Sequence, residues 1–169
     1  MKNLHVLKKI TAVVMLAAMA AAVTGCGETK IELLEEPVLE YGESQYFTKE
    51  DQEEAISIIK DTMAGWSTQC NIQNITYAGD EMALKGIYYC NSMIEASDTY
   101  KAAMVFLVDF VTPSDAKGFK KNTLYEDWEW YIVKDEDGSW AFFNNGQNIS
   151  DNIDIPDGFD LESLIDLES

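Results

Sequence analysis

The stretch from Tyr100 to Val111 constrains the fold more than any other part of the chain. Ala102, Met104, Phe106, Val108 and Phe110 occupy one set of alternate positions, and Ala103, Val105 and Leu107 the other. Successive side chains of a strand point to opposite sides, so this run is apolar on both sides, broken only by Lys101 and Asp109. A strand of that kind belongs in the middle of a sheet and needs cover on each face. Thr112-Pro113-Ser114-Asp115 ends it with turn-forming residues.

The other elements follow from similar patterns. Thr48 is a good N-cap, with Glu50 and Asp51 suited to the first turn of a helix. Ala55, Ile56, Ile59, Met63 and Trp66 then recur at helical spacing, and Gly65 with Ser67-Thr68 ends the run. Ile72 to Tyr77 reads as a short strand. Asp80 to Glu95 reads as a second helix, whose buried face is expected to hold Leu84, Ile87, Tyr88, Asn91 and Ile94; Gly86 weakens it by about 1 kcal/mol. Tyr125–Lys134 and Ser139–Asn144 flank Asp135-Glu136-Asp137-Gly138, a polar turn ending in glycine, and so predict a hairpin.

The order α-β-α-β-β-β predicts an α+β domain over residues 44–147, with two helices on one face of an antiparallel sheet of about four strands. If Lys134 pairs with Ser139, then Trp128, Trp130 and Phe143 face the core, and Tyr131, Trp140 and Phe142 stand together on the open face. Residues 26–43, with six glutamates and Pro37, read as an acidic tether. Leu33, Leu34, Val38 and Leu39 are the part of it suited to dock on the domain. Residues 148–169 read as an acidic tail, with Asp151, Asp154, Asp157 and Asp160 at every third position.

Location is legible at the other end. Lys2, Lys8 and Lys9 precede an apolar run from Ile10 to Val23, and Val23-Thr24-Gly25-Cys26 follows. A charged start, an apolar stretch and small residues at the cut are the parts of an export signal. With cysteine directly after the cut, the motif resembles the lipobox of bacterial lipoproteins. That resemblance implies removal of residues 1–25, lipidation of Cys26 and anchoring to the extracytoplasmic side of the cell membrane.

Removal of residues 1–25 would leave nine lysines against thirty acids, with no arginine and no histidine. Without histidine, Ser-His-Asp and Cys-His mechanisms cannot be built, and the commonest metal ligand is missing. Without arginine there is no bidentate fork for phosphate or carboxylate. The negative charge disfavours nucleic acid. Cys70 and Cys90 leave two readings open, a bridge permitted by the exported compartment or two thiols acting as small apolar residues. No metal motif and no cofactor motif is present; the acidic runs lack the ligand spacing of a calcium-binding helix-loop-helix.

The stretch Asp127-Trp128-Glu129-Trp130-Tyr131-Ile132-Val133-Lys134-Asp135-Glu136-Asp137-Gly138-Ser139-Trp140 is similar to the closing hairpin of small lipoprotein domains of unassigned function in clostridia and related Firmicutes. The element order is similar to cystatin-like and nuclear-transport-factor-2-like folds. The resemblance covers residues 44–147 and implies a fold and a location, with no active site to carry over. The expected function is therefore a membrane-anchored, non-enzymatic binding or accessory module. Its interaction face would be Tyr131, Trp140 and Phe142, for an unidentified protein partner or a second copy. Two alternatives are weak divalent-cation binding by the tail and a hydrolase using carboxylates alone, drawn from Asp109, Glu126, Asp127 and Glu129.

Overall fold

Residues 31–95 and 99–165, described in a computed structural model, form five strands and two α-helices. In chain order these are β1 (Val38–Glu40), α1 (Lys49–Ala64), β2 (Asn71–Tyr77), α2 (Asp80–Ser92), β3 (Ala102–Val111), β4 (Leu124–Lys134) and β5 (Trp140–Gly146). Single 3-10 turns follow at Ser150–Asn152 and Glu162–Leu164. One sheet runs in the order β1-β2-β3-β4-β5. It is antiparallel except for the parallel pair β1 and β2. β3 takes the central place, with only Leu107 and Asp109 short of full burial.

The α+β class stands, with one more strand than expected. Residues 31–43 are not a free tether. Leu39 packs against the core, Asn71 Nδ2 donates to the Leu34 carbonyl at 3.0 Å, and the buried Gln52 side chain exchanges two hydrogen bonds with the Gly42 backbone. Parallel strands need a crossover connection, and α1 supplies it between β1 and β2. The helix opens as its sequence predicts. Thr48 Oγ1 accepts from Asp51 N at 3.1 Å, and Asp51 accepts in return from Thr48 N at 2.9 Å.

The expectation of both helices on one face is overturned. Ala55, Ile56, Ile59 and Met63 of α1 cluster with Met104, Phe106, Phe110, Trp130 and Ile132. Ile87 and Cys90 of α2 cluster with Ala103, Val105, Tyr131 and Val133, the alternate residues of the same two strands. The helices therefore cover opposite faces, which is what the two-sided apolar pattern of β3 requires. The buried stripe of α2 is Ala83, Gly86, Ile87 and Cys90 rather than the one centred on Leu84 and Tyr88. Small residues set that rotation. A Cβ on Gly86 would lie 2.7 Å from Val105 Cγ2, so glycine is what lets the helix sit so close to the strand.

Residues 148–165 are likewise not a free tail. Ile149 and Leu164 pack on the α2-side cluster, and Phe159 meets Tyr88 edge-on at 5.1 Å. The described residues belong to one compact unit. Cys26 and the segment expected to be an export signal lie outside the described residues. Among the described residues, no helix is long and apolar enough to cross a membrane.

Candidate functional site

The three residues expected to form an open aromatic face are separated by the sheet. Lys134 pairs with Trp140, not Ser139, and Asp135 N donates to Ser139 O at 2.9 Å to close a longer turn. A shift of one residue sends every side chain of β5 to the other side. A bulge follows, with Tyr131 opposite Asn144 and Ile132 opposite Phe142, so Phe143 is the extra residue. Tyr131 is fully buried under α2, with Tyr89 at 5.1 Å. Trp140 and Phe142 lie on the α1 face, Trp140 beside Phe47 and Phe142 beside Trp130. Phe143, expected in the core with Trp130, instead meets Tyr89 and Tyr100 on the α2 side. Each face of the sheet carries a helix.

Two of the carboxylates named as catalytic candidates, Glu129 and Asp109, hold parts of the fold together. Glu129 is buried, and accepts from Tyr131 Oη at 2.5 Å, Ser150 N at 2.9 Å and Ser150 Oγ at 2.6 Å. It holds the segment after β5 against the sheet. Burial, then the bond to Glu129, pushes the Tyr131 phenol above its ordinary range, so it stays a donor. Asp109 Oδ1 accepts from Asp127 N at 2.8 Å, where Asp127 has a positive φ of 52°. Glu126 and Asp127 are exposed. Cys70 and Cys90 are free, the first packed against the α1-side cluster and the second buried in the α2-side one. The two thiols thus pack in different clusters and are not bridged. Among the described residues, no group of three or more His, Cys, Asp or Glu side chains is placed to hold a metal ion. A cleft of about 420 Å³ beside the β4–β5 turn is lined by Ile94, Thr99, Tyr100, Asp135, Glu136 and Asp137.

What remains open is the rim of the sheet, and its two edges differ. β1 has three residues, follows Pro37 and carries Glu40. Short length, proline and charge are the usual protections of an edge. β5 has seven residues, Trp-Ala-Phe-Phe-Asn-Asn-Gly, with no charge and no proline. Among the described residues, no backbone hydrogen bond reaches it from any strand or loop other than β4 and the β4–β5 turn. Phe142, 38 % exposed, is its most accessible large side chain. Sequence reasoning picked out Phe142 but not the edge, because the order of strands in a sheet is not written in their hydrophobic patterns. Comparison with known protein families, with curated proteins and with solved structures returns no match.

Proposed function

We propose that this protein is a lipid-anchored, extracytoplasmic binding or accessory module without catalytic activity of its own. One observation carries the reading: the Val23-Thr24-Gly25-Cys26 motif behind a charged start and an apolar run. The resemblance of the closing hairpin to clostridial lipoprotein domains points the same way. Two features of the folded unit support a binding role over a catalytic one. Glu129, the most buried of the candidate acids, has its oxygens taken up by Tyr131 and Ser150, and Asp109 is engaged by a backbone N–H. The most weakly protected surface is a strand edge, which makes main-chain contacts rather than chemistry.

Labelling cells with a fatty-acid analogue tests the anchor. The wild-type chain is expected to incorporate label and fractionate with membranes. Cys26→Ser is expected to accumulate as an unlabelled precursor. Label that survives the substitution would overturn the reading.

A further inference from the structure

We infer that the outer edge of β5 is a docking site for an extended, lysine- or arginine-bearing segment of a partner protein, which adds to the sheet as a sixth strand. The inference rests on reading the protein as a binding module but not on its anchor.

The geometry of the ladder shows which groups face outward. In an antiparallel pair, residues alternate between those that bond their partner strand and those whose N–H and C=O point away. The Lys134 carbonyl accepts from Lys101 N at 2.9 Å, so it points away from β5. Trp140, opposite Lys134, therefore directs its own N–H and C=O outward, and so does Phe142 two residues on, before the bulge. Among the described residues these donors and acceptors have no backbone partner, on a strand with no charge to repel a newcomer. Added strands bind through such groups, with side chains selecting the sequence.

Charge selects the occupant. The chain carries thirty acids against twelve lysines, a formal net charge of −18. Around β5 the imbalance is local. Asp135, Glu136 and Asp137 form the turn that leads into the strand, and Asp151 follows it. Asp51, at the start of α1, accepts from Trp140 Nε1 at 3.1 Å, and Glu50, Glu53 and Glu54 lie exposed in the same helix end. An edge bracketed in this way attracts a cationic strand and repels a second copy of the same chain. Three lysines offset part of this charge: Lys134 lies over the Trp140 ring at 5.3 Å, Lys49 pairs with Glu53 at 3.0 Å, and Lys101 acts on Asp137, which leaves the eight acids in excess.

The test uses the full chain and a synthetic seven-residue peptide of alternating lysine and valine with blocked ends, matched to the length of β5. Titration calorimetry at low salt is expected to show one-to-one binding. The glutamate–valine counterpart should bind at least about tenfold more weakly. The lysine–valine peptide N-methylated at alternate residues, which removes the donors along one edge, should lose at least about tenfold as well. Phe142→Pro, which deletes an outward N–H where an edge strand tolerates proline, should reproduce that loss, whereas Phe142→Ala should keep binding. Equal binding of the methylated peptide to the wild type would reduce the interaction to non-specific charge attraction and overturn the proposal, whether or not Phe142→Pro folds. No binding overturns it too. A stable dimer of the chain alone in sedimentation velocity, broken by Phe142→Pro, would assign the edge to a second copy instead. Peptide binding by a Cys26→Ser chain that was never lipidated separates this inference from the anchor.

Discussion

Trp130 and Tyr131 are neighbours in β4, yet they meet different surroundings. On the α1 face, Trp130 stacks with Trp66 at 5.6 Å, Trp66 stacks in turn on Phe119, and Phe110 closes the group edge-on. Ile56, Ile59, Met63 and Met104 fill the rest of that layer, and among the described residues the buried Trp130 Nε1–H has no hydrogen-bond partner. On the α2 face, Tyr131 binds a buried carboxylate, Asn144 Nδ2 donates to Tyr89 Oη at 2.8 Å, and residues from beyond β5 complete the cover. The first layer is apolar at its centre, with polar bonds such as Trp140 Nε1 to Asp51 at its rim, whereas the second places a buried carboxylate in its midst that pins a late segment. The difference teaches why an acidic stretch such as 148–165 is ordered at all. It brings Ile149 and Leu164 to an otherwise incomplete face, and Glu129 supplies the bond that ties it down.

The largest expected effect tests the α1 face. Trp130→Ala removes a fully buried ring and should cost about 3–5 kcal/mol in a urea melt. Trp140→Ala should cost less, because its ring sits at the rim of the same layer. If the two rank the other way, the placement of Trp130 at the centre of the layer and Trp140 at its rim is wrong. Trp130→Phe should recover much of the loss, since the indole N–H it discards has no hydrogen bond to lose.

The next effect sharpens the other side. Gly86→Ala improves helix propensity but drives a methyl group to 2.7 Å from Val105 Cγ2. Overpacking should win by about 1–3 kcal/mol. Combining it with Val105→Ala, which clears the space, should give a double mutant markedly more stable than the sum of the two losses. Additive losses would show that α2 does not approach β3 at Gly86.

A smaller effect isolates the clamp. Ser150→Ala deletes the 2.6 Å bond to Glu129 but leaves the Ser150 N–H in place, so about 1 kcal/mol is expected. Proteolysis after β5 should speed up while the α1 layer keeps its protection in hydrogen exchange. Equal loosening of both faces would break the comparison.

The smallest effect concerns Asp80, where the start of α2 meets the loop before α1. Burial opposes its ionisation, but bonds from Gln45 N, Ser44 Oγ and Tyr77 Oη outweigh it and hold the carboxyl below the ordinary range. A carboxyl lowered in the folded state adds stability above its unfolded pKa of about 3.9, and that contribution fades as pH falls through the folded value. The stability gap between wild type and Asp80→Asn should therefore be widest near about pH 7 and narrow towards about pH 3. A gap that does not change with pH would mean the bonds to Ser44 and Gln45 do not depend on charge.

Much of the fold was legible residue by residue. The Thr48 cap, the α1 stripe, the hairpin and the central position of β3 all follow from local patterns that survive folding unchanged. The partners of those elements were less so. β1 has three residues, too few for any periodicity to mark it. Gly86 looked like a weakness in a helix, and only its distance to Val105 shows it as the point of closest approach. The Tyr131, Trp140 and Phe142 patch failed because one residue of register in the turn, and then the Phe143 bulge, reverse which side each ring faces.

By itself the sequence determined the element types of the helices and the longer strands, the two-sided burial of β3, the export and lipobox pattern expected at Cys26, and the exclusion of arginine-based chemistry. These depend on residue type and short spacing, which are properties of the chain before it folds. Tertiary structure alone decided that the helices lie on opposite faces, that Glu129 clamps Ser150, that Cys70 and Cys90 pack in different clusters, and that, among the described residues, no strand pairs with β5 beyond β4. Those outcomes turn on register and on close approach between residues distant in sequence. Such contacts are set when apolar surfaces compete for cover, and no local pattern records the result.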